Sequence, residues 1–595
     1  MIVARLRADP GLALCVLAIV LAVALYAATL GYGVVGYDDG WLVRDNWIVQ
    51  HASGDSIRTI LFDLSSPKRF VLTPEYLPVR DLSVMVDFAV WGDWFAGHHL
   101  TNVVLYVAAI GVWFAAFTRF GIDRTIAGVA VLLWAVAPSH AESVAWLAER
   151  KGVLAAFWLG ACALGFATHR SGGRARYLAL AMVSAVFAIW SKAPSAFGIA
   201  ALVALELALP ARRVSWRRSL GALGAIAVVA AAAFTPVVYL ATRSAVVGTE
   251  LVSPAGRIAT VLGVHGFYLR DIALAVRAAV SYPIASTGPG AGDLAFGAIG
   301  FAALAVIACA PRLGRWKVPA ELRAGAAFWL VAYLPFSHAI LPLQMVLVAD
   351  RYLLVPSLGL AVFAACALVR IPDSRMRAAL IEVIVLAAGL RTLDAQAQWS
   401  DARALWSRAV DSNPADGDAW SNYAETLDQA GDSDAAVAAT EHGLRESTSP
   451  RLHHRYALLL AERGESDRAL VEMRAAADGG DYRAMSDLAL WLSNLGRSAD
   501  ALAWASRATA AAPEYVNGQR LHGKIALAAN EPAEALGAFE VAYALEPSNL
   551  ANRFNLALAL LALGRTADAK PHLDAAAADP ALAPRVHEIE RSTSP

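Results

Sequence analysis

The run GLALCVLAIVLAVALYAATL (residues 11–30) is followed closely by the polar stretch GYDDGWLVRDN (residues 36–46). A helix of about 20 apolar residues is long enough to span a bilayer. No small-residue cleavage pattern follows the run, so we expect a retained first membrane helix and not a signal peptide. The paired carboxylates of Asp38 and Asp39 then lie at the mouth of that helix. Either could act as a general base or cap the short helix predicted near Trp41.

The composition is that of a membrane protein. The chain has 595 residues, of which 58% are hydrophobic and 17% charged, against about 45–50% apolar and about 25% charged in soluble domains. Its formal net charge is zero, which argues against a nucleic-acid partner. All four cysteines (Cys15, Cys162, Cys309 and Cys366) fall inside apolar runs, so no disulfide framework is indicated.

Ten further apolar runs predict ten more membrane spans, so that we expect about 11 in an all-α bundle. They cover residues 99–118, 125–138, 152–168, 177–190, 195–210, 220–240, 292–310, 324–342, 352–369 and 378–392. Residues 258–280 are also apolar, but they include His265, Arg270, Asp271 and Arg277. We expect that segment to be an interfacial amphipathic helix on the outer face.

Basic residues in the connecting segments predict the orientation. With the N-terminus in the cytoplasm, eighteen lie in cytoplasmic segments: Arg5, Arg7, Arg119, Arg124, Arg170, Arg174, Arg176, Arg212, Arg213, Arg217, Arg218, Arg312, Arg315, Lys317, Arg323, Arg370, Arg375 and Arg377. The short loops on the other side contain Arg150, Lys151, Lys192 and Arg351. This asymmetry follows the positive-inside rule. It places Asp38, Asp39 and the C-terminal third outside the cytoplasm.

The four basic residues on the outer side are exceptions to this bias. They could reach to lipid headgroups, or they could together hold a lipid phosphate, as Lys and Arg commonly do. Arg80, in the long first outer loop (about residues 31–98), belongs to the same side. So do His140 and Glu142, but a zinc site would need a third ligand, so we do not expect a structural metal there.

The C-terminal part of the chain repeats with a period near 34 residues. Small residues recur at 424, 457, 489, 523 and 557, and again twelve residues later at 436, 469, 501, 535 and 569. Turn residues follow the same spacing at Gly431, Gly464, Gly496, Asn530 and Gly564. This period predicts five tetratricopeptide repeats (TPRs), preceded by a half helix near residues 401–410. Such repeats form a superhelix with a concave face that binds peptides or proteins.

Five short motifs follow one another in the membrane part: Tyr37-Asp38-Asp39-x-x-Leu42-Val43-x-x-Asn46, Tyr76-x-Pro78, Gly97-His98-His99-Leu100-Thr101-Asn102, His140-x-Glu142-Ser143-Val144-Ala145-Trp146-x-x-x-Arg150-Lys151 and Asp350-Arg351-Tyr352-Leu353-x-x-Pro356-Ser357. With the repeats behind them, they resemble the transmembrane and tetratricopeptide-repeat (TMTC) O-mannosyltransferases and their bacterial relatives. Leu77 and Ala137 stand where that family usually has Arg and often has His.

The resemblance implies a GT-C type glycosyltransferase that moves a mannose-like hexose from a polyprenyl-phosphate carrier to a hydroxyl, with inversion. The acceptor it implies is a protein Ser or Thr, although a glycan or lipid acceptor stays open. Asp38 or Asp39 would be the base, or would hold a divalent cation (Mg²⁺ or Mn²⁺) if one takes part. The residues expected to bind substrate are Arg80, His140, Glu142, Arg150, Lys151, Lys192, Asp350 and Arg351.

We therefore expect a GT-C type membrane domain over residues 1–395 and a periplasmic TPR domain over residues 396–595. Ala- and Arg-rich usage suggests a bacterial inner membrane. A non-enzymatic TPR membrane scaffold for envelope assembly is the first alternative, although one helix would be enough to anchor the repeats. A transporter of lipid-linked sugars is less favoured, because transporters place polar residues near the bilayer midplane.

Overall fold

The computed structural model describes residues 8–65, 69, 71–209, 216–242, 254–274, 278–313, 316–340, 346–547 and 549–593. The predicted all-α class is confirmed, apart from one antiparallel pair of two-residue strands, Arg312–Leu313 and Trp316–Lys317. The chain divides into two compact units, Met1–Asn413 and Pro414–Pro595. Each unit is described here by itself.

The first unit is a helical bundle with short helices inserted at one of its ends. In chain order its α-helices are α1 Pro10–Tyr26, α2 Trp47–Gln50, α3 Gly54–Phe62, α4 Pro78–Trp91, α5 Phe95–Phe120, α6 Arg124–Ala135, α7 Ala141–Ala145, α8 Arg150–Arg170, α9 Ala175–Ser191, α10 Ser195–Ala208, α11 Trp216–Ala241, α12 Pro254–Leu274, α13 Pro283–Thr287, α14 Ala291–Cys309, α15 Ala320–Tyr333, α16 Ser357–Val369, α17 Ser374–Ala397 and α18 Ala402–Ser412. Single helical turns at Gly40–Arg44, Pro138–His140, Leu147–Glu149, Leu334–Phe336 and Asp350–Tyr352 lie between them.

Local sequence explains where the first helices begin. The Asp9 carboxylate accepts a hydrogen bond from the Leu12 amide at 3.0 Å, and Pro10 occupies the first position of α1, where a missing N–H costs nothing. Asp123 caps α6 in the same way. Helices α1 and α6 approach closely because glycines face each other: a Cβ on Gly128 would lie 2.5 Å from the Gly11 carbonyl oxygen. Small residues allow such contacts between membrane helices.

Five helices of the described residues are long and apolar enough to cross a membrane: Pro10–Gly31, Phe95–Phe120, Leu147–Arg170, Trp216–Ala241 and Ala291–Cys309. A sixth arises if Arg124–Ala135 and Pro138–Ala145, which are bent by 60°, form one broken span. Five of the eleven predicted spans do not reach this standard. Helices α9, α10, α15 and α16 have 17, 14, 14 and 13 residues, short of the roughly 20 that a bilayer requires.

The fifth, α17, is long enough at 24 residues, but it includes Arg375, Arg377, Glu382 and Arg391. Two of the predicted spans have an end within an undescribed stretch, at 210 and 342. Among the basic residues used for orientation, Arg5, Arg7, Arg212, Arg213 and Arg315 lie outside the described residues.

Ion pairs and hydrogen bonds divide the helix ends of this unit into two faces. On one face Arg124 pairs with Asp9, and the Arg170 guanidinium donates to the Phe120 carbonyl oxygen at 3.1 Å. Arg218 donates to the Gly173 carbonyl, and Arg370 pairs with Glu321 at 3.1 Å. We call this the basic face. Helices α5, α8, α10 and α16 end there, and the opposite ends of the same helices hold the acidic and basic residues described in the next section.

Helix α12 covers most of the segment predicted to be interfacial, of which residues 275–277 lie outside the described residues. It packs tightly on α14: a Cβ on Gly266 would lie 1.9 Å from the Asp293 carbonyl oxygen. His265 and Asp271 are buried. This helix is therefore built into the bundle on one side, and it does not meet the length and apolarity standard for a membrane span.

The second unit is an array of five TPR helix pairs and a last helix. Its helices are α19 Gly417–Gln429, α20 Ser433–Glu446, α21 Pro450–Glu462, α22 Ser466–Asp478, α23 Tyr482–Asn494, α24 Ser498–Ala511, α25 Val516–Ala528, α26 Pro532–Leu545, α27 Leu550–Ala562, α28 Thr566–Ala576 and α29 Ala583–Thr593. The recurring alanines are all buried, for example Ala424, Ala457 and Ala489. The predicted half helix corresponds to α18, which belongs to the first unit.

The turn residues of the repeats are confirmed in their backbone conformation. Gly431, Gly464, Gly496 and Gly564 have φ between 72° and 81°, and Asn530 has φ 63°. Only Gly adopts this left-handed region without a steric penalty, and Asn tolerates it better than most residues. This tolerance explains why Asn530 can take the place of glycine in the turn of the fourth repeat.

Candidate active site at one end of the helical bundle

The loop that contains Asp38 and Asp39 is fixed against the segment before α8. Asp39 precedes the helical turn Gly40–Arg44 but makes no side-chain capping hydrogen bond to it. Its Oδ1 instead accepts from the Ala148 amide at 2.8 Å, and its Oδ2 accepts from the Val35 amide at 3.4 Å. Asp39 is 1% exposed, and burial raises the pKa of this carboxyl to about 7. Asp39 thus joins residues that are more than one hundred positions apart.

Asp38 has a different environment. It is half-buried, and its Oδ1 accepts from the Trp41 indole N–H at 3.2 Å. A partly accessible carboxylate is within reach of an incoming hydroxyl, whereas Asp39 is enclosed. The adjacent aspartates therefore present one carboxylate to the surface and one to the interior.

Three predicted cations, Lys151, Lys192 and Arg351, form a chain beside this loop with the carboxylates of Glu75 and Glu149. Lys151 Nζ lies 2.9 Å from Glu75 Oε2 and 4.0 Å from Glu149 Oε2. The other oxygen of Glu149 accepts from Lys192, whose Nζ also lies 3.3 Å from the Arg351 carbonyl oxygen. The chain thus runs from Glu75 through Lys151, Glu149 and Lys192 to Arg351.

Arg351 is held at the end of this chain by Glu142. Glu142 accepts from the Arg351 backbone amide at 2.8 Å and from its guanidinium. Burial is the largest single influence on the pKa of Arg351 and lowers it, but Glu142, Tyr352, Glu149 and Tyr37 together outweigh burial and the pKa is raised. Burial is the larger influence on Lys192 and lowers the pKa of its ammonium, against the effect of Glu149. The two cations therefore differ in how firmly they hold their charge.

Lys192 and Arg351 also line a narrow apolar slot between helices. The other lining residues are Gly152, Ala155, Pro194, Ser195, Ala332, Phe336, Tyr352, Leu354 and Val355. The slot has a volume of about 20 Å³, room for about one water. A lipid chain would enter it only by displacing side chains such as that of Tyr352.

Four of the predicted substrate-binding residues are occupied by buried structural contacts. Arg150 is 1% exposed; it pairs with Asp87 at 2.5 Å and donates to Asn102 Oδ1 and to the His98 carbonyl, both at 2.8 Å. Arg80 pairs with Asp81 at 2.5 Å and donates to the Leu72 carbonyl oxygen.

His140 and Asp350 are the other two. The nitrogens of His140 lie 2.8 Å from the Tyr106 hydroxyl and 2.9 Å from Ser357 Oγ. Asp350 accepts from the Tyr282 hydroxyl at 2.8 Å, and burial raises its pKa well above the ordinary range. These four side chains stabilise the walls of the site. Of the predicted set, Glu142, Lys151, Lys192 and Arg351 gather beside the Asp38–Asp39 loop.

Two carboxylates of the site were absent from the sequence prediction. Glu149 is 0% exposed and is the only residue bridging Lys151 and Lys192 in the described part of the chain. Glu75 pairs with Lys151 from the segment between α3 and α4. The sequence signal for Glu149 was its position next to Arg150 and Lys151, because a buried charge is almost always paired.

The described residues contain no group of three or more His, Cys, Asp and Glu side chains placed to hold a metal ion. Both oxygens of Asp39 already accept backbone N–H groups. Asp39 is also enclosed, so Asp38 is the more accessible ligand of the aspartate pair for a divalent cation.

The TPR unit has a separate groove of about 460 Å³ between its second and third repeats. It is lined by Leu458, Ala461, Ser466, Met473, Asp487, Leu490, Trp491, Asn494 and Leu495. Leu490 and Leu495 are exposed, at 44% and 58%. The groove combines apolar side chains with one carboxylate.

No protein-family model matches this chain, and no curated protein does. Similar solved structures include YrrB, a TPR protein with an unusual peptide-binding site (17% identity, covering 31% of this chain and 97% of that one, TM-score 0.27). Others are Pseudomonas aeruginosa pilF (20%, 27% and 75%, 0.25) and MamA of Desulfovibrio magneticus RS-1 (18%, 30% and 97%, 0.24). These TM-scores are low, and the assignment of the repeats depends on their own period, turns and helix pairs.

Proposed function

We propose that the chain is an integral membrane glycosyltransferase of the GT-C type. It transfers a sugar, a mannose-like hexose, from a polyprenyl-phosphate carrier to a hydroxyl acceptor. The observation that carries the proposal is the meeting of Asp38 and Asp39 with Lys151, Lys192 and Arg351 at one end of the bundle, beside an apolar slot. The resemblance of five motifs to the TMTC O-mannosyltransferases supports it.

In this proposal the carrier phosphate binds Lys192 and Arg351, and the first part of the prenyl chain enters the slot. The cations are already paired with Glu149 and Glu142, so the phosphate competes with these carboxylates. A phosphodiester donor brings one negative charge and gains a second as the sugar leaves. Cations placed at that oxygen stabilise the transition state more than the bound donor.

Asp38 is the proposed base, and Asp39 is the residue that positions it. The acceptor O–H gives its proton to the Asp38 carboxylate while its oxygen bonds to the anomeric carbon. The bond from that carbon to the phosphate oxygen breaks on the opposite side, and its electron pair leaves with polyprenyl phosphate. The result is a single displacement with inversion, for which one base and one stabilised leaving group are enough.

The segregation of the two faces supports an orientation. With the basic face in the cytoplasm, as the positive-inside rule expects, Asp38, Lys192 and Arg351 lie on the periplasmic side. Eleven spans would require the short helices α9, α10, α15 and α16 to cross the membrane as well. They would do so nearly perpendicular to the membrane, with local thinning of the bilayer. This topology places the TPR unit in the periplasm, where the repeats would bind a protein acceptor through its Ser or Thr residues.

The test uses the purified full chain in detergent with a panel of polyprenyl-phosphate sugars, and it follows release of polyprenyl phosphate. We expect release that depends on the sugar and that falls at least ~10³-fold in Asp38→Asn, since loss of a catalytic base costs about this much. Asp55→Asn, which changes an exposed aspartate, should keep full activity. If every donor is inert with the folded wild-type chain, the enzymatic proposal is wrong.

A non-enzymatic scaffold is the second candidate, and the TPR groove is the observation that favours it. Under it, the groove captures a periplasmic protein and the bundle acts as an anchor. Retention of a partner by the folded chain, lost in Leu490→Glu and accompanied by no turnover of any donor, would support the scaffold.

A further inference from the structure

The segment that joins the membrane bundle to the repeats packs directly on the candidate site. We call residues 398–413 the connector; it begins after α17 and contains α18. Its two tryptophans, Trp399 and Trp406, are 1% and 4% exposed. Both belong to the first compact unit. A connector that served only as a tether would not bury two indoles.

The connector tryptophans extend an aromatic stack that includes the aspartate loop. The Tyr37 ring stacks on Trp146, with centroids 5.0 Å apart and planes at 20°. Trp146 stacks on Trp399 at 5.1 Å and 16°. Trp406 closes the arrangement with its edge against Tyr37 at 5.3 Å. Tyr37 directly precedes Asp38, so the connector bears on the position of the proposed base.

The same stack reaches the proposed phosphate-binding cation. The Arg351 guanidinium carbon lies 5.7 Å from the centroid of the Trp146 ring, a distance at which a cation is attracted to an indole face. One indole, Trp146, therefore contacts Tyr37, Trp399 and Arg351. Moving the Trp399 ring leaves one face of Trp146 without its partner.

The far end of the connector is fixed to the other side of the site. Arg408 donates to the Ala278 carbonyl oxygen at 2.7 Å. Asn413 donates to Ser281 Oγ at 3.0 Å and to the Tyr282 carbonyl oxygen at 3.2 Å. The Tyr282 hydroxyl in turn donates to Asp350, next to Arg351. The connector thus contacts the aspartate loop directly and the Asp350–Arg351 turn through Tyr282.

We propose that the connector completes the site, with Trp399 and Trp406 as positioning residues that hold the Tyr37–Asp39 loop in its catalytic arrangement. This inference rests on the proposed function. It also places the end of the functional membrane unit at Asn413, because a division at residue 395 would remove both indoles. Catalytic geometry tolerates little displacement of a base, and a shift of about 1 Å is costly.

A first measurement tests the positioning without requiring turnover. Hydrogen exchange of the Ala148 amide, which donates a hydrogen bond to Asp39, is followed in the full chain in detergent. We expect Trp399→Ala to accelerate this exchange roughly tenfold and Trp399→Phe, which keeps an aromatic face, to change it little. Trp113→Ala is the matched control, because it removes an equally buried indole from the bundle core. Unchanged exchange in Trp399→Ala while the chain stays folded would overturn the proposal.

A second measurement follows polyprenyl-phosphate release. We expect kcat to fall at least roughly tenfold in Trp399→Ala with KM for the donor nearly unchanged, and to recover in Trp399→Phe. Wild-type kcat in Trp399→Ala would overturn the positioning role. If the wild-type chain releases nothing, the glycosyltransferase proposal fails, but the exchange result still shows whether the connector holds the aspartate loop.

Discussion

Two adjacent carboxylates, Asp38 and Asp39, differ because only one is enclosed by protein. Asp39 accepts hydrogen bonds from Val35 and Ala148, which favour its charged form, yet burial outweighs them and raises its pKa to about 7. A carboxyl whose pKa is raised by folding holds its proton more firmly in the native state than in the unfolded chain. Asp39 therefore makes stability depend on pH in a direction opposite to that of an ion-paired aspartate.

The first prediction concerns this pH dependence. Between about pH 4 and pH 7 the folded chain binds a proton at Asp39 that the unfolded chain has released, so stability falls as pH rises through that window. We expect the effect to be on the order of a few kcal/mol. Thermal unfolding at several pH values should show a weaker decline in Asp39→Asn, and the same decline as wild type in Asp55→Asn. An identical pH profile in Asp39→Asn would contradict the assignment.

The second prediction concerns the buried pair of Glu142 and Arg351. Their side chains are 4% and 12% exposed, so removing one partner leaves an uncompensated charge and should cost about 3–5 kcal/mol. We expect Glu142→Ala to destabilise the chain by that amount and the double variant Glu142→Ala/Arg351→Ala to regain at least half of it. Unfolding by SDS in mixed micelles measures both.

The exposed pair of Arg44 and Asp45 is the matched control for the Glu142 and Arg351 variants. Its side chains are 56% and 58% exposed, and such pairs contribute about 0–1 kcal/mol. Arg44→Ala should therefore change stability very little. Additive losses in the Glu142 and Arg351 variants would show that the two side chains do not stabilise each other.

At the scale of single elements, the ends of helices follow local chemistry, while their lengths depend on neighbours. Asp9, Asp123 and Asp373 cap α1, α6 and α17 by accepting backbone amides, as a short acidic side chain is expected to do. The apolar segment at 324–342 is interrupted when α15 gives way to a tighter turn at Leu334–Phe336. Pro335 has no backbone N–H to donate to a helical hydrogen bond, so the sequence contained a signal for the end of α15.

The third prediction concerns the turns of the repeats. Gly496 has φ 75°, a conformation that costs a residue with a Cβ about 1–2 kcal/mol, so Gly496→Ala should destabilise the repeat unit by that amount. Gly537 lies inside α26 with no atom near the position of an added Cβ. Gly537→Ala should instead stabilise by up to about 1 kcal/mol, because Ala favours helix over Gly.

Hydrogen exchange of the TPR helices in the full chain separates these two effects. The amides of α23 and α24, on either side of Gly496, should exchange faster in Gly496→Ala. Those of α26 should exchange more slowly in Gly537→Ala. Equal destabilisation by both substitutions would mean that backbone conformation does not determine the turn.

At the scale of the whole membrane unit, charge is distributed by face. The basic face gathers Arg124, Arg170, Arg218 and Arg370, and the opposite ends of the helices contain Lys151, Lys192 and Arg351. The positive-inside rule counts Lys and Arg and is not a net-charge rule, so it applies although Arg124, Arg170 and Arg370 pair with carboxylates. In the proposed orientation the basic face lies in the cytoplasm.

The fourth prediction concerns this orientation. Cys309 is the exposed native cysteine of the described residues, so Cys309→Ser provides the background. In cells with a permeabilised outer membrane and an intact inner membrane, a membrane-impermeant maleimide should label Asp93→Cys, which lies just before α5 at its candidate-site end. It should label Arg174→Cys, on the basic face, only after the inner membrane is opened. The reverse pattern, or labelling of both in intact cells, would contradict the proposed topology.

The helical class, the five repeats, their turn residues and the apolar segments could be predicted from the amino-acid sequence, because each is a local or periodic pattern. The sequence also singled out Lys151, Lys192 and Arg351 as cations on an unexpected side. Which charged side chains contact each other could be seen only in the folded chain. Asp39 binds the amide of Ala148, Glu142 holds Arg351, and Arg150 is withdrawn into the bundle with Asp87.

The same division holds for larger features. Five or six helices of the described residues are long and apolar enough to cross a membrane, where eleven spans were expected. The sequence shows where apolar runs lie, but tertiary contacts decide where each helix ends. The connector looked like the start of the repeats, yet Trp399 and Trp406 pack on Trp146 and Tyr37. Contacts between residues separated by hundreds of positions leave no period in the sequence. They arise only when folding brings those side chains within a few ångströms of each other.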